Sequence, residues 1–249
     1  MISTEELVEI KTKRNTNLYY AEKEYLQYIF LHAISRFPDF FTFKGGTCLR
    51  ICYNYERSSE DLDFSTILDM QRLRSTIKEC LKDFKLLGIK HSVYSEKEFE
   101  GNIRFEIRFE GPLFTGHMSS TNTLKIDFNK SKTIHRVAKV VPRLFSDIPV
   151  FTIVALDEKE ILTEKIRSLV NRKLARDIYD VWLLLHNGIE IDKGLLIQKL
   201  NEEKSDIKKL QFPSREEYER DLRGLVSYLP PYEQIKVEVE KTLKQIIQR

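Results

Sequence analysis

The sequence predicts an α/β chain in which a sheet-bearing domain, residues 1–150, precedes a mainly helical domain, residues 151–249. Three patterns carry that reading. Asn102 to Glu110 (NIRFEIRFE) alternates strictly, with Ile103, Phe105, Ile107 and Phe109 on one face and Arg104, Glu106, Arg108 and Glu110 on the other, as a half-buried strand does. Asp61 to Ser65 (DLDFS) and Leu124 to Phe128 (LKIDF) add two further strands. From Asp157 onward the period changes: Leu162, Ile166, Leu169, Leu174, Ile178, Val181 and Leu185 recur at spacings of three to five, and His186-Asn187-Gly188 supplies a helix stop.

Taken in order, Tyr20 to Arg36 sets Tyr20, Tyr25, Ile29, Ala33 and Ile34 near helical spacing, closed by Pro38. Phe40 to Lys44 is short and aromatic, like a strand. Gly45-Gly46 breaks it, and Thr47 stands where a helix N-cap would sit. Met70 to Leu87 returns to helical spacing through Leu73, Ile77, Leu81 and Phe84. Past the boundary, set near Pro149, Leu195 to Leu200 and stretches from Arg215 to Gln248 continue the helical character.

Bulk properties exclude several classes. With 41% hydrophobic residues in 249, the chain can bury a real core. Forty-one Lys and Arg against thirty-eight Asp and Glu leave a formal charge of +3, so any nucleic-acid contact must come from a local basic patch. Cys48, Cys52 and Cys80 are an odd number without CxxC spacing, which argues against a disulfide framework and a structural zinc site and for a reducing, cytoplasmic home. The N-terminus lacks an apolar signal core, and no run approaches the roughly 18 apolar residues of a membrane span, so no membrane role is expected.

The acidic residues point to chemistry. Residues i and i+2 of a strand share a face, so Asp61 and Asp63 project together while Leu62 and Phe64 face the core and Glu60 points the other way. Asp127, set between Ile126 and Phe128, joins them if its strand lies beside theirs. Converging carboxylates suit Mg²⁺ or Mn²⁺, the ions that orient and neutralise a triphosphate. An acid pair on a strand is also common as a mere solvated edge. What separates the two readings is Gly45-Gly46-Thr47, which opens a helix fourteen residues ahead of Asp61 and offers backbone N–H groups and a hydroxyl to phosphate oxygens.

The combination Gly45-Gly46-Thr47, Asp61-Leu62-Asp63-Phe64 and Ile126-Asp127-Phe128 resembles the DNA-polymerase-β-like nucleotidyltransferase superfamily. The wording FKGGTCLR, ERSSEDLDFS and EKIRSLVNRKLARDIYDVWLL is similar to its AbiEii branch, the toxins of abortive-infection type IV toxin–antitoxin pairs. The likeness runs from about Phe43 to Leu185, and Cys48 replaces the usual Ser of the glycine turn. The resemblance implies a nucleotidyltransferase-fold mixed sheet followed by a helical domain, and transfer of NMP from an NTP to an acceptor, with RNA and tRNA ends foremost. It also implies metal on Asp61, Asp63 and Asp127, nucleotide contacts from Gly45, Gly46 and Thr47, Lys165 on the triphosphate, Asp177 within the site, and a cognate antitoxin as partner. Rival readings are a small-molecule or protein nucleotidyltransferase and a non-catalytic nucleotide- or RNA-binding module.

The remaining cations admit two readings each. If Asp157 to Leu185 were one helix, Lys165, Arg172 and Arg176 would form a basic stripe, unless Asp177 and Asp180 hold those cations by pairing, as Arg176 would with Asp180. Lys44 and Arg57 either approach phosphates or are solvated. Lys130 to Arg143 is either an acceptor path or a charged loop and edge strand. His135 is alone, and Trp182 fits helix packing better than base stacking.

Overall fold

A computed structural model of the chain describes residues 1–130 and 132–247. The chain divides into two compact units, Met1–Leu156 and Asp157–Arg249. The sequence sets its boundary near residue 150, whereas the stretch that follows, β7 (Phe151–Leu156), is a strand of the first unit.

The first unit is built on a seven-stranded mixed sheet in the order β3-β4-β5-β2-β1-β7-β6. Its strands are β1 (Phe41–Lys44), β2 (Asp61–Thr66), β3 (Lys90–Phe99), β4 (Asn102–Glu110), β5 (Asn122–Asn129), β6 (Arg136–Val141) and β7. The pair β2–β5 is parallel, as is β1–β7, and the other neighbours are antiparallel. Alternation decides which side of each strand is buried: Leu62, Phe64, Ile103, Phe105, Ile107, Phe109, Leu124, Ile126 and Phe128 are all interior. Helices α2 (Leu18–Ile34) and α4 (Met70–Leu86) pack on each other and on these strands. Phe64 is the hub of the core. It stacks on Phe128 with centroids 5.3 Å apart and meets Phe30, Phe41 and Phe43 as well.

Helix α2 buries its polar face too, and that face reaches the loops around the acidic strand. Gln27 donates from Nε2 to the carbonyls of Ser59 and Glu60, the two residues leading into Asp61. Glu24 pairs with Arg50 at 2.9 Å, and Arg50 donates in turn to the Glu56 carbonyl at 2.6 Å. A helix with a handful of apolar residues near helical spacing is therefore almost wholly interior, its charges spent on tertiary bonds. Some elements have no counterpart in the sequence pattern. Helix α1 (Thr4–Lys13) is short but capped by Ser3, with acids in its first turn and lysines in its last. Strand β3 is exposed along nearly its whole length, so it has no buried set to betray it.

In the second unit, α5 (Glu158–Asn171) packs with α6 (Ala175–His186) and α7 (Lys193–Glu202). Helices α8 (Arg215–Leu222) and α9 (Tyr232–Ile247) pack against α6; Gln248, the end of the helical stretch read from sequence, lies outside the described residues. Among the described residues no helix is long and apolar enough to cross a membrane. Truncating the hub, Phe64→Ala, is expected to cost about 3–5 kcal/mol of the first unit's stability, read by urea denaturation.

Candidate active site

Strand register assembles the site. Asp63 on β2 lies opposite Lys44 on β1 and, on its other side, opposite Asp127 on β5. Asp127 lies opposite Arg104 on β4. One row across the sheet thus reads Lys44, Asp63, Asp127, Arg104, two carboxylates flanked by two cations, with Asp61 one pleat repeat along β2. Neighbouring strands are about 4.8 Å apart, so Asp63 and Asp127 repel when both are ionised. Arg104 offsets part of that repulsion: its Nε donates to Asp127 Oδ1 at 2.8 Å and its Nη2 to Oδ2 at 2.9 Å. Those bonds hold the guanidinium more firmly charged than usual; burial opposes them, and the fields of Asp127, Asp61 and Asp63 add to them.

The glycine turn abuts the same carboxylate. Helix α3 (Gly45–Cys52) begins at Gly45, whose φ of +77° suits glycine, and a Cβ there would stand 2.2 Å from Asp63 Oδ2. At Gly46 a Cβ would stand 2.3 Å from Nη2 of Arg57. The turn is therefore bracketed by a carboxylate on one side and a guanidinium on the other. No side chain caps α3, which leaves its first amides for backbone, solvent or a ligand.

Thr47 corrects the sequence reading. It is not the N-cap, which is Lys44; the left-handed Gly45 starts the helix earlier and carries Thr47 into its first turn. There its buried hydroxyl donates to the backbone carbonyl of Asp61, tying α3 to β2. Lys44 and Arg57 are also not solvated, being 5% and 4% exposed. Burial of these two cations, Lys44 in the acidic row and Arg57 against the glycine turn, is a feature that neither residue's sequence neighbourhood announces.

The basic stripe does not form. Helix α5 ends at Asn171, Arg172 is extended (φ −148°, ψ 141°), and α6 starts afresh at Ala175. Arg172 instead folds back to Asp177 in the first turn of α6, Nε to Oδ2 at 2.9 Å. Lys165 pairs with Asp177 at 3.0 Å and with Asp180 at 2.7 Å, so Asp180 receives Lys165 where the sequence offered Arg176. Of the predicted residues, Gly45, Gly46, Thr47, Asp61, Asp63 and Asp127 gather in the sheet unit, and Lys165 and Asp177 meet in the helical unit. The basic tract runs to an edge: β6 lies beyond β2, β1 and β7 from β5, Arg136 donates to the Pro38 carbonyl and Lys139 covers the Tyr53 ring at 3.8 Å. Ser131, within that tract, is outside the described residues. Trp182 stacks on His186 and donates to Glu238 at 2.6 Å, a helix-packing role as expected. The three cysteines are free thiols, and burial pushes Cys48 well above its usual value.

With this geometry in place, the sequence pattern of the nucleotidyl transferase AbiEii toxin family, type IV toxin–antitoxin system, matches residues 29–246. The chain belongs to that family. As an AbiEii protein it is a nucleotidyltransferase, and the match extends beyond both ends of the stretch whose motifs are legible by eye. MenT4, a nucleotidyltransferase toxin from Mycobacterium tuberculosis H37Rv, superposes with a TM-score of 0.61 at 18% identity, covering 96% of this chain and 98% of its own. JHP933 from Helicobacter pylori superposes with a TM-score of 0.63 at 19% identity, over 93% of each chain. At such identities the likeness is one of fold. No curated protein sequence matches the chain.

In this AbiEii protein, among the described residues, no three His, Cys, Asp or Glu side chains form a ready-made ion cage. Both oxygens of Asp127 are engaged by the Arg104 guanidinium. Gly45→Ala is expected to lose about 1–2 kcal/mol from backbone strain alone and to displace the Asp63 carboxylate, the first read by urea denaturation. Lys165→Met leaves Asp177 and Asp180 buried with one cation fewer; a loss of about 3 kcal/mol in guanidinium chloride melts is expected.

Proposed function

We propose that this chain transfers a nucleoside monophosphate from an NTP to an acceptor hydroxyl on RNA, tRNA ends foremost, with Mg²⁺ or Mn²⁺ held by Asp61, Asp63 and Asp127. The observation that carries the reading is the placement of Asp63 between Asp127 and the Gly45 turn, which sets acidic oxygens directly against the backbone of that turn. The donor set suits a hard divalent cation, being all carboxylate, on rigid neighbouring strands, with a guanidinium already drawn into the common field. Bound there, a divalent ion would offset the charge that develops as the acceptor oxygen joins the α-phosphorus and pyrophosphate departs.

The chain's own groups then divide the work. Backbone amides at Gly45 and Gly46 receive phosphate oxygens, and Arg57 beside Gly46 adds positive charge at the same turn. The Thr47 hydroxyl, already given to the Asp61 carbonyl, acts by holding turn and strand together. Asp127 accepts a hydrogen bond from the acceptor hydroxyl and takes its proton as that oxygen bonds to the α-phosphorus and pyrophosphate leaves. Lys165 is assigned by resemblance to charge on the β- and γ-phosphates, with Asp177 as its orienting partner at 3.0 Å. Membership in a toxin–antitoxin family makes a cognate antitoxin the implied partner.

Incubation with each labelled NTP and separate RNA, protein and small-molecule pools tests the proposal. Label is expected in RNA, lost on chelation of divalent ions, and reduced at least about 100-fold in Asp61→Asn and Asp63→Asn. Label confined to protein or a small molecule would overturn the acceptor, and growth inhibition that persists in both variants would overturn catalysis as its cause.

A further inference from the structure

The two-pronged contact between Arg104 and Asp127 has a role that the transfer reaction does not assign. A carboxylate in a metal site must turn at least one oxygen toward the ion, and Mg²⁺ demands that oxygen at about 2.0–2.1 Å in strict octahedral geometry. Asp127 has both oxygens turned toward one guanidinium, at 2.8 and 2.9 Å. An ion on either oxygen would therefore sit close to a cation that never loses its proton. The contact is also built into the sheet, because antiparallel register sets Arg104 directly across from Asp127 on a rigid pair of strands. Exposure differs between the partners: the Arg104 side chain is 40% exposed, which leaves it room to turn toward solvent, whereas Asp127 is 15% exposed.

We propose that Arg104 is a built-in counter-cation of the acidic row, occupying Asp127 in place of a divalent ion and yielding it only when such an ion arrives. Three carboxylates facing one space need positive charge at all times, and Arg104 supplies it while no ion is bound. It also raises the ion concentration needed to recruit Asp127, so loading proceeds against a competitor of fixed, intramolecular strength. The oxygens of an incoming triphosphate are suitable new partners for the released guanidinium, which favours loading when nucleotide is present.

This inference rests on the metal-binding role proposed for Asp61, Asp63 and Asp127, and Mn²⁺ titration of the full chain, followed by electron paramagnetic resonance, separates the two. Arg104→Gln, which keeps length but removes charge, is expected to bind Mn²⁺ about tenfold more tightly than the parent chain. Arg104→Lys, a single-point donor that frees one oxygen, should fall between them. Without divalent ions, Arg104→Gln should melt at a lower temperature than the parent, and saturating Mn²⁺ should close that gap, which also shows that the variant folds. If the parent binds Mn²⁺ and Asp63→Asn does not, yet Arg104→Gln binds no more tightly than the parent, the counter-cation role is overturned while the metal reading stands. If neither the parent nor Arg104→Gln binds Mn²⁺, the metal reading falls and this inference falls with it.

Discussion

Two like charges on adjacent parallel strands are the constraint around which the first unit is arranged. Asp63 and Asp127 would separate if their strands were free to slip, and what prevents slippage lies on the opposite face of the sheet. There Phe64 stacks on Phe128, the residues that follow the two acids, and both rings are sunk among aromatic neighbours. A one-residue shift would bring the acids into the core and the rings into water. Hydrophobic burial thus fixes an electrostatic arrangement that is unfavourable in isolation, and Lys44 and Arg104 at the ends of the row reduce its cost.

The reach of sequence reasoning follows from what is local and what is not. The shared face of Asp61 and Asp63 is a two-residue property, and the alternation of Asn102–Glu110 is visible without any partner strand. Asp127 was legible as a candidate because Ile126 and Phe128 flank it, but its place beside Asp63 depends on β5 pairing with β2 across more than sixty residues. In the sequence Arg104 is one of four charges on the polar face of β4, and only register distinguishes it from Arg108, which lies opposite Thr123 and covers the Tyr94 ring. Arg57 shows the same limit more sharply. Its contact with Gly46 is invisible in sequence because it depends on the loop returning to the turn, guided by buried bonds from Gln27 and Arg50 on two different helices.

The helical unit illustrates a different obstacle. Nothing in Arg172-Lys173-Leu174 is a helix breaker, so the sequence leaves an unbroken helix open. The break instead serves buried charge: Asp177 and Asp180 are nearly inaccessible, and folding α6 back on α5 brings Lys165 and Arg172 to them. Lys199, fully buried between Glu160 and Glu164, follows the same logic. Such pairs contribute little net stability but penalise any packing that leaves one member alone, and so favour a single arrangement of the helices.

The Thr47 bond to the Asp61 carbonyl has a mechanical consequence. Helix α3 and strand β2 are separated by a loop, and loops move on the nanosecond-to-microsecond scale. A side-chain hydroxyl fastened to backbone turns this junction into a stiff bracket, with the glycine turn on one arm and the aspartates on the other. The spacing between arms is then set before any ligand arrives, so little ordering entropy is left to be lost on binding.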